Sequence, residues 1–188
     1  MPLSNEVRII GGKWKRRKLA FPNRTSLRPT LDRVRVTLFN WLVAHVQDAV
    51  CLDLYAGSGA LGFEALSRGA REVTLVDSDP AAVRGLRASR ERLGADHAHI
   101  VRSAALPWLR RASGSFDLVF LDPPFAGSEL SGVLEVLRTR PLLEDGALVY
   151  AETSIRSEPE LRGFRTVKEG KAGETRYFLL AADEQDAI

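Results

Sequence analysis

The stretch DLYAGSGALGFEAL, Asp53 to Leu66, decides the fold. It runs from an apolar segment through a glycine-rich turn into a helical pattern. Gly57-Ser58-Gly59-Ala60-Leu61-Gly62 matches G-x-G-x-x-G, the fingerprint of a strand–turn–helix unit that binds a dinucleotide. Read outward from there, VCLDLYA predicts a strand and GALGFEALSRG a helix. EVTLVD, HIVRS, FDLVFLD and GALVYAET predict further strands. Helical patterns lie between them: PAAVRGLRASRERLG, a short ALPWLRRA, and SELSGVLEVLRTR. Strands with near-continuous apolar runs alternating with helices predict an α/β fold, a mostly parallel sheet covered on both faces. FRTVKEG and TRYFLLAA, joined by KAGE, read as a closing antiparallel hairpin. Upstream, Thr30 is a candidate N-cap for a helix carrying Leu31, Val34, Leu38, Trp41, Leu42 and His45 at helical spacing.

In such a sheet ligands bind outside the carboxyl ends of the strands. Those ends read Asp53-Leu54-Tyr55-Ala56-Gly57-Ser58-Gly59, Asp77-Ser78, Ser103-Ala104 and Asp122-Pro123-Pro124-Phe125. Asp53 stands just before the glycine turn, where a carboxylate repels a pyrophosphate and suits a cation. S-adenosylmethionine (SAM) carries a sulfonium and an ammonium and no phosphate, so its charge matches. Asp77, twenty residues after Gly57, is placed to take ribose hydroxyls in either cofactor class. The expected cofactor is therefore SAM, with an NAD-dependent oxidoreductase as the competing reading.

DPPF, Asp122 to Phe125, is the most specific motif. Two prolines fix two backbone angles and remove two donors, which makes a stiff rim. An aspartate side chain and a proline carbonyl together accept both hydrogens of an exocyclic NH2, and a phenylalanine stacks on a flat base.

The chain has 188 residues, 45% of them hydrophobic, enough for one globular core with a small appendage. Its net charge is +3, but residues 1–40 hold ten basic residues against two acidic ones. An excess of positive charge at one end predicts an anionic partner, nucleic acid above all. VRIIGGKWKRRKLAFP reads as two extended runs around Gly11-Gly12, a hairpin signal. The candidate RNA contacts there are Lys13, Trp14, Lys15, Arg16, Arg17 and Lys18, with Arg28, Arg33 and the hairpin Lys171 nearer the mouth of the site. Trp14 has a second reading, as an anchor of the hairpin to the body. The lone Cys51 excludes an internal disulfide and a multi-cysteine zinc site. His97 and His99 lack further ligands, so no metal is expected. No apolar run or leader layout stands out, and the expected location is the cytoplasm.

DPPF resembles the (D/N)PP(Y/F) motif of SAM-dependent amino methyltransferases. Together with RIIGGKWKRRKLAFP, LRPTLDRVRVTLFNWL, CLDLYAGSGALGFEALSRGA and DLVFLDPPF, it resembles the RsmD family, from about Arg8 to Leu180. The resemblance implies a Rossmann-like class I methyltransferase fold: a mostly parallel seven-stranded sheet, a C-terminal antiparallel hairpin, and a small N-terminal hairpin extension. It divides the chain at 28/29 into a basic extension (1–28) and a methyltransferase domain (29–188), expected to act as a monomer. It implies methyl transfer from SAM to guanine N2 of 16S ribosomal RNA within the small ribosomal subunit or its assembly intermediate. Asp53, Gly57 and Gly59 would line the SAM site, Asp77 would hold the ribose, and Asp122 to Phe125 would form the catalytic motif. Two departures stand out. Ser103-Ala104 occupy the place where many relatives carry an acidic or amide residue near the adenine, and Val36 stands where family members often have glutamate. An amino methyltransferase of another base, and an RNA-binding protein that holds SAM without catalysis, remain as competitors.

Overall fold

The computed structural model describes residues 6–20, 32–124 and 129–183. The chain runs β1 (Glu6–Arg8), β2 (Lys18–Ala20), α1 (Asp32–Trp41), β3 (Val50–Asp53), α2 (Ala60–Ser67), β4 (Glu72–Asp77) and α3 (Pro80–Leu93). It continues β5 (Ala98–Arg102), α4 (Ala105–Leu109), β6 (Phe116–Leu121), α5 (Glu129–Thr139), β7 (Leu143–Ser154), β8 (Phe164–Ala172) and β9 (Thr175–Ala182). Seven strands form one sheet in the order β5-β4-β3-β6-β7-β9-β8. Pairing is parallel from β5 to β7 and antiparallel for β7–β9–β8, as the alternating and closing patterns predict. The order reverses between β3 and β6, so the crevice for ligands opens at the ends of those two strands.

Two apolar layers sandwich the sheet. One joins α1, α2 and α3 through Leu38, Phe39, Phe63 and Leu86, and the other joins α4 and α5 through Leu109, Val133 and Leu137. α1 ends at Trp41, short of the expected helix positions Leu42 and His45, whereas local signals bound α3 well. Asp79 caps α3 by accepting from Ala81 N at 3.1 Å and Ala82 N at 3.4 Å, Pro80 opens the helix, and Gly94 closes it in a left-handed conformation. A cap of this kind contributes about 1 kcal/mol.

Several strand bounds differ from the sequence expectation, and β8 runs on to Ala172, into the residues expected to form the turn. β3 ends at Asp53 rather than running through Ala56, because the chain must turn there to bring Gly57 over the sheet edge. β7 begins earlier, at Leu143.

The N-terminal hairpin differs more. β1 and β2 pair antiparallel with Val7 opposite Leu19, but residues 9–17 connect them, so Gly11-Gly12 is not a two-residue turn. Those glycines lie against α2 instead. A Cβ on Gly12, whose φ is +73°, would overlap the Ser67 carbonyl. Ile9, Trp14 and Leu19 belong to the same apolar core as α1–α3. The boundary expected at 28/29, and the expected helix positions Thr30 and Leu31, lie outside the described residues.

Candidate active site at the carboxyl edge of the sheet

The glycine turn is held by the backbone on three sides. Leu54 N donates to Phe120 O at 3.1 Å and Ala56 N to Val76 O at 3.0 Å, which ties the turn to β6 and β4. Gly59 N donates to Ala56 O at 2.6 Å. Gly59 precedes α2 with φ +77°, and a Cβ there would meet Phe63 Cδ2 at 2.5 Å, so both conformation and packing require glycine. Tyr55 is half-buried and Ser58 half-exposed beside the turn. Burial pushes the Tyr55 phenol up and Glu129 raises it further, while among the described residues its hydroxyl has no hydrogen-bond partner of ordinary geometry.

Asp53 is buried, 3% exposed, and its Oδ2 accepts from Gly62 N at 2.9 Å. The sequence reading aimed this carboxylate at the ligand; the structure turns it onto the first turn of α2, where no side chain of the N-cap residue does the capping. Burial drives its pKa up to about 7, the Gly62 N–H opposes the rise, and the Asp122 and Asp77 carboxylates add to it. The three aspartates therefore share one field across the ends of β3, β4 and β6.

Asp77 Oδ2 accepts from Gly57 N at 2.8 Å and Oδ1 from Asp79 N at 2.8 Å. Ser78 is exposed. This pattern bears on which cofactor the residues fit. A dinucleotide fingerprint aims its turn N–H groups at a pyrophosphate. Here the Gly57 N–H is already occupied by a carboxylate, and two further carboxylates, Asp53 and Asp122, lie close by. The donor set fits a cationic nucleoside such as SAM and opposes a pyrophosphate. Each Asp77 oxygen keeps a lone pair for a ribose hydroxyl. At the end of β5, Ser103 N donates to Asp77 O at 3.0 Å and Ser103 Oγ to Ala104 O at 3.0 Å, while Ala104 is exposed.

Asp122 is half-buried, Pro123 buried and Pro124 exposed, and Phe125 lies outside the described residues. Sequence reasoning missed the groups on β7. The register pairs Leu121 with Ala151, so Glu152 stands level with Asp122 on the neighbouring strand. Glu152 is 4% exposed and its Oε1 accepts from Tyr150 OH at 2.7 Å. Burial, then Glu152 and Asp122, raise the Tyr150 phenol. A Tyr-x-Glu spacing on a strand puts both groups on one face, which was the available signal.

The proposed RNA contacts fall into separate places. Lys13, Lys15, Arg16, Arg17 and Lys18 are exposed on the hairpin, and Arg16 adopts a left-handed φ of 71°. Trp14 is corrected: it is 8% exposed, packed in the core, with only the Lys13 ammonium over its ring at 4.3 Å. Its second reading, the anchor, is the one the packing follows. Arg33 is exposed on α1, and Arg28 lies outside the described residues. Lys171 is exposed on β8 opposite Arg176. Since Ser154 pairs with Thr175, the β8–β9 turn and Lys171 stand on the carboxyl edge, the same edge as Asp122.

The hairpin is mounted on α2 through two side chains. Glu64, fully buried, accepts from Ile10 N at 2.7 Å, Gly11 N at 2.8 Å and Arg68 Nε at 2.7 Å. Ser67 Oγ accepts from Trp14 N at 2.9 Å and donates to Gly11 O at 2.6 Å. Because a crossover helix runs against its strands, the Ser67 end of α2 lies at the amino edge of the sheet. The turn of the hairpin thus sits at the opposite edge from Asp122.

Other features carry no chemistry of this site. A cavity of about 230 Å³ lined by His45, Asp48, Asp117 and Asp145 opens at the amino ends of the strands. Cys51 is buried, and burial raises its thiol well above the ordinary range. His99 is exposed beside Glu72, with Nε2 at 3.4 Å from Oε2. Among the described residues no helix is long and apolar enough to cross a membrane, and no group of three or more His, Cys, Asp or Glu is arranged to hold a metal.

Comparison with known proteins agrees with this geometry. The family model described as Conserved hypothetical protein 95 matches residues 7–181. The ribosomal RNA small subunit methyltransferase D of Escherichia coli is 41% identical over 97% of this chain and 93% of its own length. A solved Escherichia coli structure named as a methyltransferase superposes with a TM-score of 0.88 at 41% identity, covering 96% of this chain and all of the other (100%). A solved Haemophilus influenzae structure named as a methylase gives 0.79 at 37% identity, over 94% of this chain and 98% of that one. The sheet order, the glycine turn and these matches place the fold with the class I methyltransferases, and the chain belongs to the RsmD family.

Proposed function

We propose that this chain transfers a methyl group from SAM to the exocyclic N2 of a guanine in 16S ribosomal RNA of the small ribosomal subunit. The observation that carries the reading is the Asp122-Pro123 rim. It stands at the end of β6, beside the β3 glycine turn, and its carboxylate is close enough to raise the pKa of buried Asp53. The names of the relatives supply the RNA class; the exposed cations of the hairpin supply a surface that suits phosphate.

Gly57, Gly59 and Ala56 would leave clearance for the cofactor, Asp77 would hold its ribose, and the shared field of Asp53, Asp77 and Asp122 would attract its positive charge. Ser103 and Ala104 would border the adenine. When bound, SAM supplies an activated methyl at a sulfonium. The chain's own task is the acceptor nitrogen. The guanine N2 lone pair is delocalised into the ring and is a poor nucleophile. Hydrogen bonds from N2–H to the Asp122 carboxylate and the Pro123 carbonyl favour a localised lone pair and stabilise positive charge growing on nitrogen. The rigid proline pair holds that acceptor geometry before the base arrives, so orientation contributes several kcal/mol. Phe125 is assigned to stacking. The proton released after transfer leaves to Asp122 or to water.

The direct test supplies radiolabelled SAM to small subunits lacking the modification, followed by digestion and nucleoside identification. Label in N2-methylguanine is expected; label in another base, or none, overturns the reading. Asp122→Ala should lower kcat about 100- to 1,000-fold, the range for removing a group that stabilises transition-state charge, while SAM still binds. Full modification by Asp122→Ala would instead favour an RNA-binding protein that holds SAM without catalysis.

A further inference from the structure

The hairpin turn and the Asp122 rim lie at opposite edges of the sheet. An RNA that touches both must cross one flank of the molecule. α3 spans that flank. Its first residue follows the Asp77–Asp79 corner of the cofactor edge, and near its last turn Arg92 NH2 donates to Lys18 O of β2 at 2.6 Å. Its 14 residues cover about 21 Å.

The outward face of α3 is basic. Ala82, Val83, Leu86, Ser89 and Leu93 are buried against the sheet and the hairpin. Arg84, Arg87 and Arg92 are exposed on the other side, at spacings that share one face. Glu91 is the one carboxylate on that stripe, and none of these arginines makes an ion pair among the described residues. By sequence these charges belong to the part of the chain outside the basic first forty residues. In space they continue the cations of the hairpin toward the reaction edge.

We propose that the exposed arginines of α3 form a phosphate track: Arg84, Arg87 and Arg92 carry the RNA backbone from the hairpin at the amino edge to the cofactor edge. The inference rests on the RNA-methyltransferase reading above. Guanidinium forks suit phosphate oxygens, and contacts of this kind fix register without reading sequence.

The test measures RNA binding and KM across a salt series for the wild type, the double variant Arg84→Gln/Arg87→Gln, and Glu91→Lys. Losing two phosphate contacts should make the slope of log affinity against log salt shallower by about 1.4–1.8. KM for RNA should rise about tenfold at low salt, with SAM affinity kept. Glu91→Lys should move both quantities the other way, which keeps the idea testable if the double variant folds poorly. Wild-type slopes and KM in both variants would overturn the track and leave the proposed function standing. An unchanged slope on naked RNA with loss only on assembled subunits would mean that α3 meets protein, and would also overturn it. A wild type that neither binds nor methylates small-subunit RNA would sink the proposed function and the track together.

Discussion

Asp53 and Glu64 are both enclosed carboxylates, one at the end of β3 and one inside α2, yet their surroundings are opposite. Glu64 meets three N–H donors at 2.7–2.8 Å, with the Arg35 guanidinium 3.9 Å away. Asp53 has Gly62 N and two other aspartates in its field. A buried charge that is well supplied with donors ties elements together. A buried charge set among like charges costs stability, and such arrangements mark sites that await a ligand of the opposite sign. Glu64 mounts the hairpin; Asp53, in the proposed function, faces the cofactor's positive charge.

The contrast can be broken by substitution. Glu64→Ala leaves buried Arg35 with only the exposed Asp32 carboxylate as counter-charge, strips Arg68 Nε of its partner and frees two hairpin amides. It should cost about 3–5 kcal/mol of unfolding free energy, measured by denaturant titration. A loss under 1 kcal/mol would show that the hairpin does not depend on this carboxylate.

Asp53→Asn should do the reverse. The folded pKa of about 7 lies above the ordinary carboxylate value of 3.8, so between those values the folded state holds a proton that the unfolded state has lost. Stability from this group is complete below about pH 4 and declines as pH rises to about 7. The wild type should therefore lose stability from pH 5 to pH 8 relative to Asp53→Asn, by up to a few kcal/mol. SAM affinity should improve as pH rises through 7 in the wild type, because a bound cation favours the ionised carboxylate. Asp53→Asn should bind SAM about 10- to 100-fold more weakly and lose that pH dependence, as calorimetry across the series would show. A wild-type affinity flat in pH would contradict that role of Asp53.

The smallest effect sharpens the other side. Ser67→Ala removes an acceptor for Trp14 N and a donor to Gly11 O, and should cost about 1–2 kcal/mol. If the hairpin positions RNA, the same change raises KM for RNA and spares SAM affinity. An equal loss of both would make the hairpin part of the cofactor fold alone.

Much of this was legible before the structure. Apolar runs, helix caps and the glycine turn act within a few residues of themselves, so strand–helix alternation and the edge that carries Asp77 and Asp122 could be read directly. Gly11-Gly12 misled because a glycine pair serves a tight turn or a close approach equally well. Here the approach is to the Ser67 carbonyl, and no local pattern announces that. Trp14 among cations left base stacking and anchoring both open in the sequence, and only its neighbours in the core decide for the anchor.

The sequence by itself determined the sheet, the glycine turn before α2, the proline rim after β6 and the excess of positive charge at one end. The tertiary structure alone decided where the charges count. It turned Asp53 onto Gly62, set Glu152 level with Asp122 through the β6–β7 register, and brought Arg92 against Lys18 across 74 residues of chain. Periodicity and turn chemistry are local and survive in a one-dimensional string. Electrostatic fields fall with distance in space, and only the packed crossovers fix those distances.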